Sequence, residues 1–251
     1  MAAVSRRRVG NPLALGWEAV RANLIPAFLI QTAMLALFAS YHLSPEVAET
    51  LNRLAVYKKA HGLVFVVSAT VLAASVLPEV FLVLFFQKGR ARAQNFRNIL
   101  FTAPLWGLDG IMVDFLYRGL AAMLGDRATL PVVAAKICID QFGYNVFFAA
   151  PYGVLAYQWK NSGFASGELR RNLTWAFYRD KIVSTLFTTW AVWIPLMAII
   201  YSLPLALQFP LFSLALTFWV LLLTYMTNRF AGKNGRPVPV VPVEITPGLA
   251  R

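Results

Sequence analysis

One cysteine, two histidines and 11 acids are all that 251 residues hold of the side chains most used for catalysis or metal binding. The lone Cys138 excludes an intrachain disulfide and any cysteine-based metal cluster. His42 and His61 stand too far apart, and too isolated, to suggest a metal site. The chain contains no P-loop, no GxSxG, no HExxH and no CxxC, so it reads as a non-enzyme without cofactor or metal. One enzymatic alternative, an intramembrane aspartyl pair of Asp109 and Asp140, has nothing around either residue to support it. Charge is scarce as well. Only 14% of residues are charged against 59% hydrophobic, where a soluble domain carries about 25% charged residues.

What the chain does have is length of apolar run. Its mean hydropathy is +0.60. Six stretches, about 24–43, 62–86, 99–124, 130–159, 182–203 and 207–228, approach or exceed the ~20 apolar residues that cross a bilayer. Helices are the form expected, because a backbone in lipid must satisfy its own hydrogen bonds. The alternation of a membrane β-barrel is missing. The sequence therefore predicts an all-α, multi-pass transmembrane bundle of about six spans. A basic tail (1–23) precedes the helical domain (24–228), and a Pro-rich flexible tail (229–251) follows it.

The formal net charge of +12 could point to nucleic acid, but the bases lie between the apolar stretches, as in a membrane protein. No nucleic-acid partner is expected. One side would hold Arg6, Arg7, Arg8 and Arg21, then Lys88, Arg90, Arg92 and Arg97. It would also hold Lys160, Arg170, Arg171, Arg179 and Lys181, then Arg229, Lys233, Arg236 and Arg251. The opposite side would hold only Arg53, Lys58, Lys59 and Arg127. This asymmetry places both termini on the positive side. The N-terminal arginines also resemble a mitochondrial presequence in composition, although a positive-inside tail explains them as well. The stretch 168–182 is amphipathic and should lie in the interface, with Arg170, Arg171 and Arg179 toward lipid headgroups. The stretch 44–61 is a weaker candidate on the other side. Trp190, Trp193 and Trp219 read as interfacial anchors or packing.

Six charged residues interrupt the apolar stretches: Glu79, Asp109, Asp114, Arg118, Lys136 and Asp140. Each would cost at least ~2.5–3.5 kcal/mol at a bilayer centre, which marks it as facing a protein interior or a wet path. Asp114 and Arg118 are four apart, as are Lys136 and Asp140, so each pair can share a helix face. Counting from the turn 125–129 puts Arg118 level with Lys136, and Asp114 level with Asp140 and Gln141. The expectation is a polar core with a basic outer ring of Arg118 and Lys136 and an acidic middle. Tyr144 and Asn145 extend it, and Asp109 and Glu79 are deeper acidic steps. The competing expectation is that these pairs only pin helices together.

Lys136-Ile-Cys-Ile-Asp140-Gln141 is similar to the K-x-x-x-D-Q motif of the Mpv-seventeen and twenty-two-kilodalton peroxisomal membrane protein family. Gly110-x-x-x-Asp114-Phe-Leu-Tyr117-x-x-Leu120 resembles that family's G-P-x-x-H-x-W-Y-x-x-L, with Asp114 in place of His. Pro204, Gln208 and Trp219 resemble its V-P-x-x-x-R and later W, and Trp190 with Trp193-Ile-Pro195 its W-P region. The resemblance covers roughly 110–225 and departs from the family before Pro204, where Ile199-Ile200 replaces N-F. It implies a divergent member in a bacterial cytoplasmic membrane, or in a mitochondrial inner or peroxisomal membrane. It further implies a channel or permeation path for a small solute or ion, with Lys136, Asp140 and Gln141 carrying the motif's role. The partners expected are the lipid bilayer and that solute; homo-oligomerisation stays open. The alternative is a non-conducting scaffold or lipid-interacting protein.

Overall fold

In a computed structural model of the chain, described for residue 21 and residues 24–234, every regular element is helical. The basic tail (1–20, 22 and 23) and the Pro-rich segment 235–251 lie outside the described residues. Helix α1 is Leu24–Leu43, and α2 is Pro45–Phe85. Helix α3 is Ala93–Leu124, and α4 runs continuously over 130–161. The short α5 is Ser166–Asn172, α6 covers 175–201, and α7 is Leu205–Asn234, which continues past the boundary expected near 228.

Local chemistry sets the ends. Ser44 caps α2, its Oγ accepting from Val47 N at 3.4 Å, with Pro45 in the first turn. Asn95 Oδ1 accepts from Arg92 N at 2.8 Å to start α3. Gly125, at φ +84°, stops α3, and Pro131 sits in the first turn of α4. Helix α2 breaks direction at Gly62, whose φ of +52° and ψ of −126° lie outside the helical region. That break separates the polar stretch 45–61 from the apolar one that follows. A straight helix of 41 residues would reach about 60 Å, roughly twice the ~30 Å hydrocarbon core.

Among the described residues, three helices are long and apolar enough to cross a membrane: Pro45–Phe85, Ala93–Leu124 and Leu130–Lys160. Three shorter apolar helices accompany them: Ala27–Leu43, Thr185–Tyr201 and Leu205–Leu221. Helix α7 is the hub, contacting α1, α2, α3 and α6, and its Leu207, Phe209 and Ala215 are buried. Helix α2 lies along α3, where Gly107 and Gly110 admit Val67 and Thr70. Large apolar side chains point outward from several helices, among them Phe28, Val64, Leu84, Leu100 and Phe147.

The amphipathic stretch 168–182 is not one helix. It breaks at Leu173, where Thr174 Oγ1 accepts from Phe177 N at 3.2 Å and caps a new turn that leads into α6. Arg170 and Arg171 are exposed on α5, and Arg179 is exposed at the start of α6.

Candidate functional site

The centre of the site is a change of helix type. Within α4, Ile139–Ala149 is π-helical. Such segments are wider than an α-helix and recur at functional sites. The wider turn, about 4.4 residues, brings Asp140, Gln141, Tyr144, Asn145 and Ala149 onto one face. Two carbonyls of this stretch accept from side chains on α6. Trp190 Nε1 donates to Gln141 O at 2.9 Å, and Tyr178 Oη donates to Val146 O at 2.8 Å.

That face borders a cavity of about 180 Å³ between α3, α4, α6 and α7. Asp109 and Trp106 enter from α3, Thr185 and Trp193 from α6, and Trp219 from α7. Of its 23 lining residues, eight are aromatic, two are carboxylic acids and none is a base. Asp140 is buried and accepts from Tyr201 Oη at 2.7 Å. Gln141 Oε1 accepts from Asn145 Nδ2 at 3.2 Å. Asp109 has no hydrogen-bond or ion-pair partner among the described residues. Tyr144 stands within electrostatic reach of both acids. The Tyr144 hydroxyl and the Trp106 N–H are buried and find no partner among the described residues.

The structure divides the residues singled out in the sequence. Asp109, Asp140, Gln141, Tyr144 and Asn145 meet at the cavity; Asp114, Arg118, Lys136 and Glu79 do not line it. Asp114 is held from two sides. Lys58 Nζ lies 2.6 Å from its Oδ1, and Arg118 Nη2 lies 2.7 Å from its Oδ2. Arg118 is half exposed and its guanidinium lies over the Phe115 ring, 4.7 Å from the centroid. Glu79 takes the amides of Asn95 and Asn98 at 2.6 and 2.9 Å, and Lys160 reaches Asn98 at 2.9 Å. Glu79 is therefore a clamp between α2 and the start of α3, not a step inside the cavity.

The ring of Arg118 with Lys136 does not form. Lys136 is fully buried, and its Nζ is 3.9 Å from Asp126 in the α3–α4 turn and 5.9 Å from the centre of the Tyr201 ring. It does not pair with Asp140. The physical reason is direction. Helical side chains lean toward the N-terminus, so an acid preceding a base by four residues meets it better than the reverse order. Asp114 precedes Arg118 and they pair; Lys136 precedes Asp140 and reaches back to the turn instead.

Sequence reasoning gave no site role to Lys58, Tyr201, Trp106 and Tyr178. Of the three tryptophans read as interfacial anchors or packing, Trp190 donates to the Gln141 carbonyl, and Trp193 and Trp219 line the cavity. The one available signal was the presence of polar-tipped aromatics inside apolar stretches, since a buried Trp or Tyr requires a partner.

These features define an all-α bundle that holds, among the described residues, three membrane-length helices and an acid-bearing, aromatic cavity between α3, α4, α6 and α7. The chain matches no protein-family model, no curated protein and no solved structure.

Proposed function

We propose that the protein is an integral membrane protein that provides a permeation path for a small solute or ion, with the cavity as its selective part. The observation that carries this reading is Asp109, an unpartnered carboxylate on the wall of a cavity within apolar helices. Ionisable groups at such depth are costly, and where no protein partner neutralises them a proton, a transported species or water does. The outward apolar side chains support the membrane setting, since water tolerates few large apolar patches. In the full reading the chain crosses six times with both termini on the positive side, in a bacterial cytoplasmic or an organelle membrane. The resemblance to the Mpv-seventeen family agrees with this reading through Asp140 and Gln141.

The scaffold alternative keeps a more limited place. The Asp114 and Glu79 clusters are satisfied within the protein and act as staples whether or not solute passes.

The test is recording from purified full-length protein in planar bilayers, with Asp109→Asn and Asp140→Asn beside the wild type. Discrete conductance, altered in selectivity by both changes, is expected. A folded, inserted wild type that gives neither conductance nor solute efflux from proteoliposomes would refute a permeation path. Labelling adds geometry. In a Cys138→Ala background, Asp109→Cys and Asn145→Cys should react with a small aqueous thiol reagent, and a cysteine at buried Val66 should not.

A further inference from the structure

We infer that the cavity binds a small organic cation, an alkylammonium of about seven heavy atoms, with its charge between Asp109 and Asp140 and its alkyl groups against aromatic faces. The inference rests on the permeation reading for its biological purpose, but its chemistry is carried by the cavity alone.

Three observations converge. The first is sign. The two charged residues on the wall are both acids, and the base buried among the described residues, Lys136, does not line the cavity and lies 3.9 Å from Asp126. Asp140 meets only neutral donors, Tyr201 and Gln141, and Asp109 has no partner among the described residues. A site of this sign repels carboxylates and phosphates and lowers the energy of a cation.

The second is the wall. Trp106, Tyr117, Tyr144, Tyr152 and Trp193 belong to an aromatic set that makes up about a third of the lining. Ring faces carry negative potential, and such cages are the usual receptors for alkylated ammonium groups. A hydrated metal ion would want oxygen ligands and retained water instead, and most of this wall is carbon.

The third is size together with a spare polar group. A volume of about 180 Å³ compares with the ~150 Å³ cavity that admits a benzene molecule. The Tyr144 hydroxyl, buried and without a partner among the described residues, offers one hydrogen bond to a ligand hydroxyl. An amino alcohol satisfies all three features.

The probe pair is choline and 3,3-dimethyl-1-butanol, which share shape and differ only in nitrogen against carbon. Radiolabelled choline is equilibrated with full-length protein in nanodiscs, with the neutral alcohol as competitor. Saturable choline binding is expected, with at least a hundredfold preference over the alcohol. Asp109→Asn should weaken binding at least tenfold, and Tyr144→Leu should do so by several-fold. Glu49→Gln, a change at the surface away from the cavity, should leave it unaltered. Each variant is first shown to be monodisperse. Equal competition by the alcohol, no saturable choline binding to folded wild type, or an unchanged affinity in both Asp109→Asn and Tyr144→Leu would each overturn the inference. The permeation reading is separated by a parallel efflux assay. Proteoliposomes that release neutral glycerol while the protein ignores choline would sink the cation inference and leave the path standing.

Discussion

Replacing Gly110 by alanine tests the closest approach made at any described glycine, between α2 and α3. A Cβ built on Gly110 would lie 2.5 Å from Thr70 Oγ1, 2.6 Å from its Cγ2 and 3.0 Å from its Cβ. Ordinary contact begins near 3.4 Å, so α2 and α3 would have to part by the better part of an ångström. Thr70 cannot swing aside easily. It is fully buried, β-branched, and its hydroxyl donates to Val66 O at 3.0 Å. Overpacking of this kind costs about 1–3 kcal/mol, and no intrinsic helix gain of Ala over Gly, about 1 kcal/mol, fully offsets the upper part of that range. Two contacts under 3.0 Å against a side chain held by its own hydrogen bond place the cost at about 2–3 kcal/mol, so the expected net loss is about 1–2 kcal/mol. Small residues at this face also fit membrane helices, where close backbone approach is a main source of association. The assay is reversible denaturation in mixed micelles of wild type, Gly110→Ala, Thr70→Ala and the double variant. Thr70→Ala removes two of the three crowded atoms, so the double variant should recover at least ~1 kcal/mol relative to additivity. Strict additivity, or a Gly110→Ala protein as stable as wild type, would show that α2 and α3 do not meet at this point.

The two cations on Asp114 should differ sharply. Lys58→Met leaves a buried carboxylate with only a half-exposed partner and should cost about 2–3 kcal/mol, while Arg118→Met should cost under ~1 kcal/mol; comparable losses in a denaturation series would contradict this ranking. Tyr201→Phe removes the sole side-chain donor to Asp140 from another helix and should destabilise by about 1–3 kcal/mol, read in the same series. Gly62→Ala places a Cβ on a backbone with φ of +52° and should cost about 1–3 kcal/mol, although nothing crowds the added atom; a neutral result would mean the break in α2 is absent.

Much of the architecture could be read from the sequence because lipid-length apolar runs and their punctuation are local signals. Ser44-Pro45, Gly125 and Pro131 mark helix ends by chemistry that acts within one turn. Even the break at Gly62 coincides with the start of an apolar run. Counting from the α3–α4 turn assigns Asp114 and Asp140 a common level. Depth is not direction, however. Whether Asp114 faces the cavity or Lys58 depends on how α2 and α3 are rotated against each other, and Lys58 lies 56 residues away in sequence. The π-helical stretch of α4 was illegible for a similar reason. Its carbonyls are stabilised by Tyr178 and Trp190, two side chains from another helix, so the conformation belongs to the packed state and not to the sequence of Ile139–Ala149.

The separation of satisfied from unsatisfied charge follows the depth of the bundle. Along α3, Asn98 joins the Glu79 clamp and Asp114 joins the Lys58 and Arg118 clamp, each complete within the protein. Asp109 lies between them, about 16 Å along the axis from the first and ~8 Å from the second. Had burial of charge served only to pin helices, Asp109 would be the position most in need of a base, because it is farthest from either end. It has none among the described residues, and the neighbouring space is occupied by a cavity instead of a side chain. Midway along α3, where a carboxylate has no base among the described residues, the fold thus leaves room for something else to pair with it.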